Sequence, residues 1–174
     1  MNSTLFLSLV LAHIIGDFYL QTDKCCKQKE TRKFKSWFLY VHAIIIGLLS
    51  WIIIPSYNFG LWALLIAVSH LVIDAIKIHC QKGLWSFVID QLLHLGILAA
   101  ISSICETTKE LPLQMIDSSS AFSTPLLILA VLLCMKPANI LIKLILEKYQ
   151  VGESESCDSI KNAGALIGNL ERIL

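Results

Sequence analysis

Between Leu84 and Ile104 the chain reads LWSFVIDQLLHLGILAAISSI, an apolar run long enough to cross a bilayer that nevertheless carries Asp90 and His94 one helical turn apart. A stretch of about 20 apolar residues spans the hydrocarbon core as an α-helix, and an ionisable group inside such a helix is costly enough to mark a functional site. The pattern recurs along the chain. Residues 5–20 carry His13 and Asp17, residues 61–78 carry His70 and Asp74 at the same spacing, and residues 37–54 carry His42.

With 56% hydrophobic residues, 16% charged residues and a mean hydropathy of +0.70, the chain is too apolar for a soluble domain. The expected architecture is all-α: a polytopic transmembrane helical bundle of about five spans, connected up and down. It would occupy residues 1–149, followed by a polar linker (150–159) and a C-terminal helix (160–174). The helical pattern is still running at Leu174, and Gly164 and Gly168 give that last segment the small-xxx-small spacing of close helix packing. A net charge of +1, without a basic patch interleaved with aromatics, offers nucleic acid no binding face. The six cysteines form no CxxC pair and read as reduced thiols. The first span has no basic leader and no small-residue cleavage site, so it is expected to be retained.

Charge placement sets the orientation. Residues 22–36 hold Lys24, Lys27, Lys29, Arg32, Lys33 and Lys35 against Asp23 and Glu30, and such a basic connection stays in the cytoplasm. The amino terminus is therefore expected outside and the carboxyl side in the cytoplasm, the membrane being the bacterial inner membrane. Pro55 stops the second span, Lys77, His79 and Lys82 mark the return of the third, and residues 105–124 form a polar outer connection. The fifth apolar stretch, 121–146, is interrupted by Lys136 and Pro137. The favoured expectation is a span to Met135 and a separate interfacial helix over 137–149, with Lys136, Lys143 and Lys148 near anionic headgroups. One long kinked span is the alternative.

The segment LAHIIGDFYL aligns with VSHLVIDAIK, and each is followed by a helix with one histidine, His42 or His94. This predicts a duplicated helical hairpin with a site between the repeats. Asp90 has no counterpart, because Phe38 stands at the matching position.

The order is HxxxD on the two helices that run inward and DxxxH on the one that runs outward. Reversing chain direction reverses the motif, so each aspartate lies on the cytoplasmic side of its histidine. At a rise of 1.5 Å per residue the aspartates sit roughly 5–10 Å inside the inner boundary and their histidines about 6 Å deeper. Residues four apart share a helix face, so His13, Asp17, His42, His70, Asp74, Asp90 and His94 can converge on one pocket open to the cytoplasm.

Imidazoles and carboxylates are ligands for a divalent metal, Zn or Mn, whose charge would offset that of the aspartates. A metal with an open position generates a hydroxide nucleophile, and the expected activity is hydrolysis of a phosphoester, ester or amide on a lipid-like or anionic substrate at the inner leaflet. Asp17, Asp90 and Lys77 are the catalytic candidates, and Gln21, Lys77 and Gln91 would contact substrate. A transporter or proton relay is the competing function, and a structural cluster the third. His79, at a helix end beside Cys80 and Lys82, suits the helix dipole as a positive side chain, and Trp37, Trp51, Trp62 and Trp85 suit interface anchors.

The segments LAHIIGDFYLQ, YVHA, SHLVIDAIK, FVIDQLLH, KPAN and NAGALIGNLERIL together resemble a family of bacterial multi-pass membrane proteins known as domain of unknown function 3307. The resemblance covers most of the chain and implies the helical membrane fold and this choice of residues, without a reaction. In similar proteins an apolar stretch follows the last segment, which implies that this copy is cut short. A more distant likeness, in the His and Asp pattern alone, is to membrane-bound metal-dependent hydrolases induced by DNA damage.

Overall fold

The computed structural model describes residues 3–80, 83–105 and 124–148. Most of the expected outer connection, the linker 150–159 and the expected helix 160–174 lie outside the described residues. Among those described, all regular structure is helical: α1 (Ser3–Ile14), α2 (Asp23–Arg32), α3 (Trp37–Ile53), α4 (Gly60–Lys77), α5 (Leu84–Ile104) and α6 (Thr124–Lys148).

α1 runs on without a break into a π-helical segment, Ile15–Leu20, so that Ser3–Leu20 forms one apolar rod of 18 residues. The widened turns carry Asp17; such segments are concentrated at functional sites because they re-aim a side chain within a helix. Helices of membrane-crossing length also occur over Tyr57–Lys77, Leu84–Ile104 and Leu126–Lys148, and α3 adds an apolar helix of 17 residues, about 26 Å at 1.5 Å per residue. α3 ends two residues before Pro55, whose ring disfavours helical geometry in the preceding residue.

Two features differ from expectation. The basic connection 22–36 is largely helical: Thr22 caps α2 by accepting the Cys25 N–H at 3.4 Å, and Lys, Gln, Glu and Arg are good helix formers that need no apolar stripe to coil. A 3₁₀ turn, Lys33–Lys35, then leads into α3. The second difference is α6, a single helix of 25 residues that passes through Pro137, the reading held in reserve. Proline there removes one backbone bond, to the Leu133 carbonyl, whereas ending the helix would leave a whole turn of unsatisfied groups in an apolar setting.

α1 is the central element. It packs against α3, α5 and α6, while α3 packs along α4 and α4 along α5. Leu5, Leu9, Ile46, Ile66, Leu98 and Leu129 join five helices in one apolar core. Gly47 permits the close approach of α3 to α4, since a Cβ there would lie 2.8 Å from Ala67 Cβ and 3.1 Å from the Ala63 carbonyl oxygen. Gly83, with φ 151° and ψ 177°, opens α5 in a conformation essentially restricted to glycine.

The radial distribution is inverted relative to a soluble bundle. Ile44, Leu48, Ile52, Leu64, Val68, Val72, Ile89 and Leu92 are exposed, whereas His13, His42, His70, Asp74, Asp90 and His94 are buried. An apolar exterior around polar contents has lipid as its natural solvent.

Candidate functional site

Four helices bring the predicted cluster together. Asp17 on the π-helical segment receives His42 Nε2 of α3 at 3.0 Å, and His70 Nε2 of α4 lies 3.4 Å from the same oxygen. His13 Nε2 is 3.8 Å from the other carboxylate oxygen. The imidazoles pack against one another: His13 stacks on His94 at 4.9 Å between ring centroids, His70 lies tilted against His94 at 4.3 Å and His42 meets His70 edge to face at 4.9 Å. One layer thus holds all four histidines with Asp17 beside it.

The other two aspartates are held by cations. Lys29 Nζ of α2 donates to Asp74 Oδ2 at 2.6 Å, and Lys77 Nζ of α4 donates to Asp90 Oδ2 at 2.5 Å. Gln91 also donates to Asp90 Oδ2, at 3.0 Å. Lys29 is only 6% exposed, which makes it a component of the site that sequence reasoning missed. In the sequence it is one of six basic residues of a connection whose charge speaks to topology. The available signal was faint: Lys29 follows Cys26 by three residues and so shares its face on an otherwise strongly polar helix.

His94 Nδ1 lies 2.8 Å from the Asp90 carbonyl oxygen of its own helix. An imidazole donates there, which fixes the proton on Nδ1 and leaves Nε2 as a lone-pair donor. His94 Nε2 has no hydrogen-bond partner, and neither have His13 Nε2, His70 Nε2 or Asp90 Oδ1, although all are buried. Buried polar atoms are satisfied in the great majority of cases. Three overlapping sets, His13–Asp17–His70, His42–His70–Asp74 and Asp74–Asp90–His94, bring possible ligand atoms within 4.8 Å of one another. Neutral nitrogen and carboxylate oxygen in this mixture match the preferences of Zn²⁺ and Mn²⁺.

Access comes from the end of the bundle that carries α2. A cleft of about 350 Å³ is walled by Gln21, Cys26, Lys29, Asp74, Lys77 and Phe87, among others. Gln21 lies in that wall with its Nε2 on Cys26 Sγ at 3.0 Å, whereas Gln91 is turned to Asp90 and is absent from it. On the far side of the histidines a cavity of about 10 Å³ is lined by Ile46, Ile66, Ile97 and Leu98 together with Ser50 and Ser69, room for roughly one water. His79 stands apart, exposed, with Nδ1 on the Ala75 carbonyl at 3.0 Å.

Fold and site together define a polytopic α-helical membrane protein with a His/Asp cluster buried near one end of its bundle. The chain belongs to the family described as Protein of unknown function (DUF3307), whose model matches residues 5–123. No curated protein and no solved structure matches it.

Proposed function

We propose that this protein is a metal-dependent hydrolase of the bacterial inner membrane, its cluster facing the cytoplasm. The observation that carries the reading is the set of four buried ligand atoms that make no hydrogen bond, Nε2 of His13, His70 and His94 and Oδ1 of Asp90, within one cluster of imidazoles and carboxylates. A purely structural cluster would satisfy those atoms internally, since each one left bare costs about 1–3 kcal/mol. The cleft supports access from the basic end, which the positive-inside rule assigns to the cytoplasm. The apolar packing beyond the histidines favours chemistry at one face over passage to the other.

His13, His42, His70, His94, Asp17, Asp74 and Asp90 supply the ligands. A divalent ion held there would supply Lewis acidity and a water-derived nucleophile near neutral pH. Asp17 orients the imidazole of His42 and, when it does not ligate the ion, takes the proton of the attacking water. Asp90 holds Lys77 at the cleft wall, where its ammonium faces an anionic substrate group. Lys29 balances Asp74 in the same way, and either lysine would be free to face substrate where its aspartate held a cation instead.

Metal analysis of protein purified without chelator tests this. Near-stoichiometric Zn or Mn is expected, lost in His70→Ala and Asp90→Ala and kept in His79→Ala. A fully stable preparation without metal would sink the hydrolase.

A further inference from the structure

Beside the polar cleft, a second depression of about 280 Å³ runs between α4 and α5. Ile73, Ile76, Ile89 and Leu93 line it together with Lys77 and Asp90. Ile76, Ile89 and Leu93 are each more than half exposed on the outer surface of helices long and apolar enough to span a bilayer. Lys77, Cys80 and Ser86 border both depressions. An apolar groove facing the hydrocarbon therefore meets a cleft containing Lys29 and Lys77 at a shared wall, and that wall touches the cluster through Asp90.

We infer that the substrate is a membrane lipid with a phosphate monoester headgroup, whose phosphate lies between Lys29 and Lys77 and whose acyl chain occupies the groove between α4 and α5. This rests on the hydrolase reading. Charge complementarity selects the occupant: Lys29 in the cleft and Lys77 at the shared wall are held by Asp74 and Asp90, and a divalent ion on those aspartates would release both ammonium groups to match a phosphate dianion, while the apolar groove opens sideways into the bilayer from which such a lipid comes. A free phosphate would leave the groove unused, and a neutral lipid would give Lys29 and Lys77 no anion once a divalent ion had taken over Asp74 and Asp90. In the reaction the oxygen of water forms a new bond to phosphorus as the bond from phosphorus to the lipid oxygen breaks. The lipid oxygen leaves with the electron pair and takes a proton, giving the lipid alcohol and inorganic phosphate.

The test places the full chain in phosphatidylcholine nanodiscs doped with phosphatidic acid carrying a photoreactive diazirine on one acyl chain. Crosslinks are expected at Ile76, Ile89 and Leu93 in about tenfold excess, a difference of about 1.4 kcal/mol, over Leu48 and Ile52 on the lipid face of α3. Diazirine-bearing phosphatidylcholine and diacylglycerol should show no such excess, and added inorganic phosphate should not remove it. Lys29→Gln should abolish the preference for phosphatidic acid. Ile89→Trp, which fills the groove without touching the cluster, should suppress labelling at Ile76 and Leu93 while leaving metal content unchanged. Equal labelling by all three lipids, or labelling spread evenly over the lipid face, overturns the assignment. Metal content measured on the same samples separates the two readings. Metal without lipid preference removes the lipid alone; lipid preference without metal removes the hydrolase and leaves a lipid-binding site.

Discussion

Lys29 carries its charge in a buried position because Asp74 answers it at 2.6 Å. Removing one member of such a pair leaves an uncompensated buried charge and costs about 3–5 kcal/mol. Lys29→Met is therefore expected to lower the melting temperature of chelator-treated protein strongly, and a divalent ion should restore part of the loss by compensating Asp74. Thermal unfolding with and without Zn²⁺ measures this, and an equal loss in both conditions would mean that Asp74 is not a ligand. Lys27→Ala, on the exposed side of the same helix, should stay within about 0.5 kcal/mol of wild type. The paired motifs were legible in the sequence because four residues of helix put two side chains on one face whatever surrounds them. Lys29 was not, since its partner lies 45 residues away and nothing local distinguishes it from its basic neighbours.

Among the elements, the two hairpins are less alike than their His/Asp motifs suggest. Aligning His13 with His70 places Leu20 opposite Lys77, and aligning His42 with His94 places Phe38 opposite Asp90. The ion pair Lys77–Asp90 thus belongs to the second repeat as a unit, with an apolar pair in its place in the first. Lys77→Leu and Asp90→Phe are each expected to destabilise the protein, and the double variant to recover part of the loss, with a coupling of about 0.5–3 kcal/mol in a double-mutant cycle. Additive effects would show that the pair is not coupled. Where α3 crosses α4, Gly47→Leu should force the helices apart and cost about 1–3 kcal/mol. Gly96→Ala, with open space around it, should be neutral or stabilising by up to about 1 kcal/mol. Denaturation midpoints compare the two. Pro137 shows the limit of reading elements from breakers: a proline ends a helix when water can satisfy the freed groups, and an apolar environment withdraws that option.

For the whole molecule, the arrangement of the ends is testable by cysteine access. In a cysteine-free background, Cys80 restored alone is exposed at the end of α4, and a membrane-impermeant maleimide should label it in inverted vesicles and not in intact cells. Tyr57→Cys, at an almost fully exposed position between α3 and α4, should show the opposite pattern. Labelling of both from one side would invalidate the up-and-down topology. The amino-acid order alone settled that this chain makes apolar rods of bilayer length, which rods carry acid and imidazole, and at what spacing, because those properties depend on composition and on the fixed pitch of a helix. It did not settle how each rod is rotated about its own axis. That rotation comes from contacts between helices: Gly47 against α4, the widened turns around Asp17, and α1 set among three neighbours. Only packing therefore decided that four imidazoles meet, that a polar helix turns a lysine inward, and that a lipid-facing groove ends beside the cluster.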